Sequence, residues 1–193
     1  MEYIGEHLWP GKLGFFFVIL AVTSALLAFM AYAFGEFKND NHPGWRKMGR
    51  TAFFVHAASV FSIVGLLLYM LYNHMFEYHY IWQHSNSEMP MRYIFSAFWE
   101  GQEGSTILWV FWQAVLGIIL IFTLKKWEFP VMAIFSIAQL LLLTMITGIY
   151  IFDFKLGINP FTLLLREHPD FLTAPFIRNP NYLETLDGRG LNP

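Results

Sequence analysis

Four long apolar runs separated by short polar stretches dominate this 193-residue chain. They extend from about Leu13 to Phe34, Thr51 to Asn73, Thr106 to Leu124 and Phe129 to Phe152. A helix needs about 20 apolar residues to cross the hydrocarbon core of a bilayer, so each run predicts a membrane-spanning helix. The first run is flanked by Glu2 and Glu6 and not by a basic cluster, and no small-x-small cleavage site follows it. It therefore predicts a membrane anchor and not a secretory signal. The pattern as a whole predicts an all-α integral membrane protein: a four-helix membrane domain over 1–152 and a Pro-rich segment over 153–193.

Two polar stretches stand out between and after these runs. In the long loop 74–105, Gln83, His84, Ser85, Asn86 and Ser87 lead into Pro90, and Met91, Ile94, Phe95, Phe98 and Gln102 then recur at helical spacing. Proline is tolerated at a helix start because its missing N–H would be unpaired there anyway. This predicts a short helix in the membrane interface, with Phe98 and Trp99 in the headgroup layer where aromatic rings are favoured. Gly101 and Gly104 then permit a sharp turn into the third span, with Ser105 or Thr106 as its N-cap. In 153–193 the prolines at 160, 169, 175, 180 and 193 predict an extended, turn-rich course with at most a short helix near Phe161 to Glu167. Asn159 before Pro160 fits a turn or helix boundary.

Composition narrows the class. Apolar residues make up 56% and charged residues 13% of the chain, which places it among membrane proteins. A net charge of −2 argues against nucleic acid as a partner, and the absence of cysteine excludes thiol chemistry by the chain itself. The basic residues are asymmetric. Lys38, Arg46, Lys47, Arg50, Lys125 and Lys126 lie at one set of span ends, and only Lys12, Arg92 and Lys155 lie close to the other. The positive-inside rule then predicts that both termini and loop 74–105 face the periplasm or its equivalent.

Candidate chemistry is sparse. Glu103 stands at the lip of the third span, where an ionisable group is costly enough to suggest function; the competing reading is a carboxylate stabilised by the helix dipole. Glu100 and Glu103 would share a face of one helical turn and could work as an acid–base pair, but nothing places a substrate between them. His56 lies inside the second span, as a buried neutral imidazole bonded to a neighbouring helix or as a ligand. His74, His79 and His84 have no compact metal-binding spacing, so no metal site is expected. Trp109 and Trp112 form a packing or interface stripe, and Gly101-Gln102-Glu103-Gly104 lacks the context of a phosphate loop. No catalytic residue is assigned.

The segment Tyr80, Ile81, Ser85, Asn86, Met89, Pro90, then Trp99, Glu103, Gly104, Ser105, Ile107, Leu108 and Trp109, resembles the first periplasmic loop of the CcmF-type haem lyase of the system I cytochrome c maturation pathway. Asn159-Pro160-Phe161 and Asp187-Gly188-Arg189-Gly190-Leu191-Asn192-Pro193 are similar to two further motifs of that family, in the same order. Glu100 departs from it, standing where the family has Gly. The resemblance implies the N-terminal membrane portion of a longer or split protein of the bacterial inner membrane. That protein would receive haem from a periplasmic chaperone and assist its attachment to the Cys-x-x-Cys-His thiols of an apocytochrome c. It would use haem b and other cytochrome c maturation membrane proteins as companions within the lipid bilayer. His84, Ser85, Asn86, Pro90, Trp99, Glu103, Gly104, Ser105 and Trp109 become haem-chamber or docking candidates. The family's haem-ligating histidines lie beyond the part matched here, so no axial ligand is carried over. The rival is an accessory membrane subunit of a respiratory complex, with a quinone or proton path near Glu103. A small transporter is disfavoured by the lack of inverted repeats or broken helix pairs.

Overall fold

The structure is a computed structural model and describes residues 4–37, 43–151, 154–167 and 181–190. Four of its helices are long and apolar enough to cross a membrane. They are α1 (Leu8–Phe37), α2 (Pro43–Tyr72), α5 (Gln102–Thr123) and α6 (Glu128–Thr147). Three short helices accompany them: α3 (His79–His84), α4 (Met91–Glu100) and α7 (Leu164–Glu167). The all-α membrane architecture holds.

The ends of the spans differ from the hydrophobic pattern for identifiable reasons. Helix α2 begins at Pro43, so Arg46, Lys47 and Arg50 belong to its first turns and not to a loop. Proline suits that first position, with no N–H to leave unpaired. Helix α6 was expected to reach Phe152 but stops at Thr147, where Gly148 takes a left-handed φ of 67°. This is the usual way for glycine to end a helix. The apolar residues that follow turn into strand β1 (Ile149–Ile151), which pairs antiparallel with β2 (Phe154–Leu156), Ile149 opposite Leu156. After the hairpin, the Ile158 N–H donates to the Met145 carbonyl at 3.2 Å, satisfying one of the last carbonyls of α6.

The chain divides into two compact units. One comprises Phe16–Val64 and Thr106–Ile158. Its core is built on close approach: Ala21, Ala25, Ala28 and Ala31 are fully buried along α1. Gly35, Gly49 and Gly117 meet the rings of Phe129, Tyr32 and Phe53. Small residues are what membrane helices use to approach one another, because lipid supplies no hydrophobic drive between them. Tyr32 and Phe129 pack edge to face at 5.9 Å. Beside them Glu128, 0% exposed, takes two hydrogen bonds from Arg50 at 2.6 and 2.7 Å, with Arg46 Nε at 3.5 Å.

The other unit comprises Met1–Phe15, Gly65–Ser105 and Asn159–Pro193. The described parts of 153–193 beyond the hairpin are therefore packed into the same body as loop 74–105. Tyr78 fixes the start of α1: its hydroxyl donates to the His7 carbonyl at 2.7 Å and accepts from the Gly11 N–H at 2.8 Å. Buried Glu77 accepts from both the backbone N–H and the ring of His7, each at 3.1 Å. The short helix expected near 161–167 is present as the single turn α7.

Candidate functional site

In the unit just described, three stretches that looked unusual in the sequence meet. Helix α3 carries His84 and passes Ser85 into the turn Asn86–Met89. Against it lies 187–190, held by backbone: the Arg189 N–H donates to the Trp82 carbonyl at 2.8 Å and the Gly190 N–H to the Ser85 carbonyl at 3.1 Å. The Arg189 guanidinium sits 4.6 Å from the centre of the Trp82 ring, a cation–π contact. Asp187 closes the junction, accepting from the Ser87 N–H at 2.9 Å and the Ser87 hydroxyl at 2.8 Å. These bonds favour the charged carboxylate and hold its pKa below the ordinary value. Gly188 lies where a Cβ would collide with the Ser85 carbonyl, and at Gly190 (φ 78°) a Cβ would stand 2.9 Å from the Asn86 amide. These two glycines are required, one for room and one for conformation as well.

The Asn-Pro-Phe stretch docks on the same body. The Asn159 side chain accepts from the Phe161 N–H at 2.9 Å, forming a local turn. The ring of Phe161 fills the space left open by Gly14. His79 N–H donates to the Thr162 carbonyl at 3.0 Å, and Leu164 N–H to the Glu77 carbonyl at 2.8 Å.

The approach to α5 is anchored by Tyr80. Its buried hydroxyl donates to the Phe98 carbonyl at 2.7 Å, tying α3 to the end of α4. Burial raises its pKa above the ordinary phenol value, and the negative charge of Glu103 adds to the rise. His84 is buried, stacks on Tyr80 at 4.4 Å between ring centres, and donates from Nδ1 to the Tyr80 carbonyl at 2.9 Å. Its Nε2 would lie 2.8 Å from a Cβ at Gly101.

Several expectations change here. Gly101 is the N-cap of α5, its carbonyl accepting from the Ser105 N–H at 3.0 Å, so neither Ser105 nor Thr106 has that role. The Ser105 hydroxyl instead donates to the Trp99 carbonyl at 2.7 Å. Gly104 is helical and Gly101 has φ −83°, so neither turns the chain through a left-handed conformation. Both are required for room, since a Cβ on Gly104 would collide with the Phe98 carbonyl and the Tyr80 hydroxyl. Glu100 ends α4 and Glu103 lies in the first turn of α5, with extended Gly101 between them, so they do not share a helical turn. On α4 the inward face is Ile94, Ala97 and Phe98, while Phe95 is 60% exposed and Trp99 47%. Phe98 is thus a core residue and not a headgroup-layer ring. Pro90 is the exposed N-cap of α4.

Trp109 falls in the other unit, 66% exposed, and Trp112 is exposed there as well. His56 is in that unit too, fully buried, donating from Nδ1 to the Ala21 carbonyl at 3.1 Å. This matches the imidazole bonded to a neighbouring helix.

Among the described residues no group of three or more His, Cys, Asp or Glu is placed to hold a metal ion. Two of the described histidines, His84 and His56, are buried and packed against neighbouring rings. His84 uses one nitrogen on its own helix and turns the other toward Gly101, and His56 is enclosed against Ala21 and the Phe53 ring. The unit that includes 65–105 and 159–193 presents an interlocked surface with Gln83, Ser87, Glu88 and Arg189 exposed. Nothing in the spacing along the chain indicates that 187–190 clasps 82–87. Asp187 to Pro193 stood out by its similarity to a family motif, which does not name its partner in the fold.

No protein-family model matches the chain. Over 190 residues, 94% of this chain, it is 28% identical to the cytochrome c-type biogenesis protein CcmF of Pseudomonas aeruginosa, of which it spans 24%. Over 100 residues, 52% of this chain, it is 32% identical to the cytochrome c-type biogenesis protein NrfE of Haemophilus influenzae, spanning 15% of it. A solved structure of a cytochrome c heme lyase CcmF superposes with a TM-score of 0.67, covering 82% of this chain and 26% of that one at 19% identity. The chain therefore spans about a quarter or less of the relatives it matches.

Proposed function

We propose that this chain, a relative of the CcmF-type cytochrome c biogenesis proteins, is the N-terminal membrane portion of a haem-handling machine that assists covalent attachment of haem to apocytochrome c. The observation that carries this reading is the clasp of 187–190 on 82–87. Two segments that separately resemble the family's motifs lie far apart in sequence and form one surface. In this proposal that surface faces the periplasm and docks the haem chaperone or the apocytochrome, alongside other maturation proteins of the inner membrane. Glu103 supplies a fixed negative charge beside Tyr80. In this proposal the haem b ligands come from outside this chain, and the burial of His84 and His56 against Tyr80 and Phe53 supports that reading.

The test is deletion of the gene in its own host, followed by separate readouts of c-type and b-type cytochromes. Covalently bound haem should fall sharply while b-type spectra persist. Normal c-type cytochromes with impaired quinone-dependent turnover would instead support the respiratory-subunit reading. Complementation with Glu103→Gln at equal protein level then asks whether the charge matters. A dipole-only role predicts a loss of no more than about 1 kcal/mol of stability and normal cytochrome c yield.

A further inference from the structure

In the unit formed by 16–64 and 106–158, a groove of about 530 Å³ runs between α1 and α2. Leu20, Thr23 and Leu27 form one wall, and Met48, Ala52 and Val55 the other. Along α2 it reaches from Gly44 to Val55, about 17 Å at the helical rise. The hydroxyls on the α1 wall are taken up by their own helix: Thr23 donates to the Ile19 carbonyl at 2.9 Å and Ser24 to the Ala21 carbonyl at 3.2 Å. The groove is thus apolar along its length and becomes polar only at one end, where Lys47 and Thr51 border it.

The same two residues also line an adjoining hollow of about 330 Å³, together with Arg46, Arg50 and Phe54. Three cations gather there against one carboxylate, Glu128, which Arg50 and Arg46 approach. Lys47 is exposed on the rim, and among the described residues lining the hollow positive charge is left in excess. Apolar length ending in surplus cationic charge is complementary to an amphiphile with an acyl chain and an anionic head. Basic pockets between membrane helices are suited to anionic lipid headgroups.

We propose that this groove binds an anionic phospholipid of the bilayer, its phosphate on Lys47 at the cationic hollow and an acyl chain between α1 and α2. A lysine ammonium engages phosphate as a point charge and needs no bidentate geometry, so Lys47→Arg should preserve binding.

The full chain is reconstituted in nanodiscs of mixed phosphatidylglycerol and phosphatidylcholine, extracted gently, and its bound lipid identified by native mass spectrometry. Phosphatidylglycerol should be retained in preference to phosphatidylcholine. Lys47→Ala should reduce that preference about fivefold, the equivalent of roughly 1 kcal/mol for one cation at an anionic surface. Thr23→Trp, which fills the groove from an exposed position, should reduce retention of both lipids. Helicity by circular dichroism shows that each variant is folded, and Lys47→Arg guards against a nonspecific effect. Equal retention of the two lipids by the wild-type chain would overturn the proposal. So would a preference that survives Lys47→Ala, or no retained lipid at all, as expected if another protein segment fills the groove.

Discussion

At residue level the contrast between two glycines shows what kind of information the sequence withheld. Gly104 and Gly101 stood out as turn-formers, yet their backbones are ones any residue can adopt. Tyr80 and the Phe98 carbonyl, which need the space, cannot be read from spacing along the chain. Gly104→Ala should therefore cost about 1–3 kcal/mol through overpacking, measured as a lowered unfolding temperature in detergent. Gly65, in α2 with nothing within 4 Å of a would-be Cβ, should tolerate alanine or gain by about 0.5–1 kcal/mol from reduced unfolded-state freedom. Equal losses at both sites would refute the packing explanation. Asp187 offers a second test at this scale. Its folded pKa is lowered by the Ser87 N–H and hydroxyl, so the clasp contributes fully above the ordinary carboxylate value and fades as pH falls through the lowered one. Proteolysis near 181–190 should thus accelerate at strongly acidic pH in the wild type, whereas Asp187→Asn should already be sensitive at neutral pH and show no acid step.

Among the elements, the long helices were legible because a sustained apolar run has few alternative structures in a membrane. Their ends were not. The α6 terminus depends on one glycine, and Ile149–Ile151 continues the apolar run, which periodicity alone cannot assign to helix or strand. The beginning of α2 carries polar and basic residues, so hydropathy hid two turns of it. Helix α3 escaped notice because it is short and mixed in character. The basic start of α2 has a structural task beyond any effect on orientation, since Arg50 neutralises Glu128 at the start of α6. Removing one partner of such a pair leaves a buried charge uncompensated, which typically costs about 3–5 kcal/mol. With Arg46 Nε still 3.5 Å away, Arg50→Leu should fall at the lower end of that range. The double variant Arg50→Leu with Glu128→Leu should recover most of the loss in a denaturation assay. A double variant no more stable than Arg50→Leu would show that the pair is not what joins these helices.

For the whole molecule, the proposed function rests on the resemblance carried by a few motif residues and not on any constellation of catalytic groups. This has a physical cause. The clasp of 187–190 on 82–87 is assembled from backbone bonds and small residues, and these leave motif-like traces but no ligand spacing. The individual candidates divided accordingly. Ser85 and Asn86 belong to the clasp, His84 and Gly104 to the packing beneath it, and Trp109 to neither. The same reasoning yields an expectation about haem. Stable six-coordinate binding needs two accessible axial donors, and His84 and His56 are both buried with their rings packed against aromatic neighbours. Purified alone in detergent and mixed with haem, the chain should give only a weak, broad absorption that responds little to His56→Ala or His84→Ala. Joined with the remaining membrane parts of the proposed machine, it should support a sharp haem spectrum that is insensitive to the same two substitutions provided the protein accumulates. A sharp six-coordinate spectrum from the chain alone, abolished by either substitution, would mean that one of these rings swings out of its packed position to bind iron. The division of labour proposed here, with docking by this chain and ligation elsewhere, would then have to be abandoned.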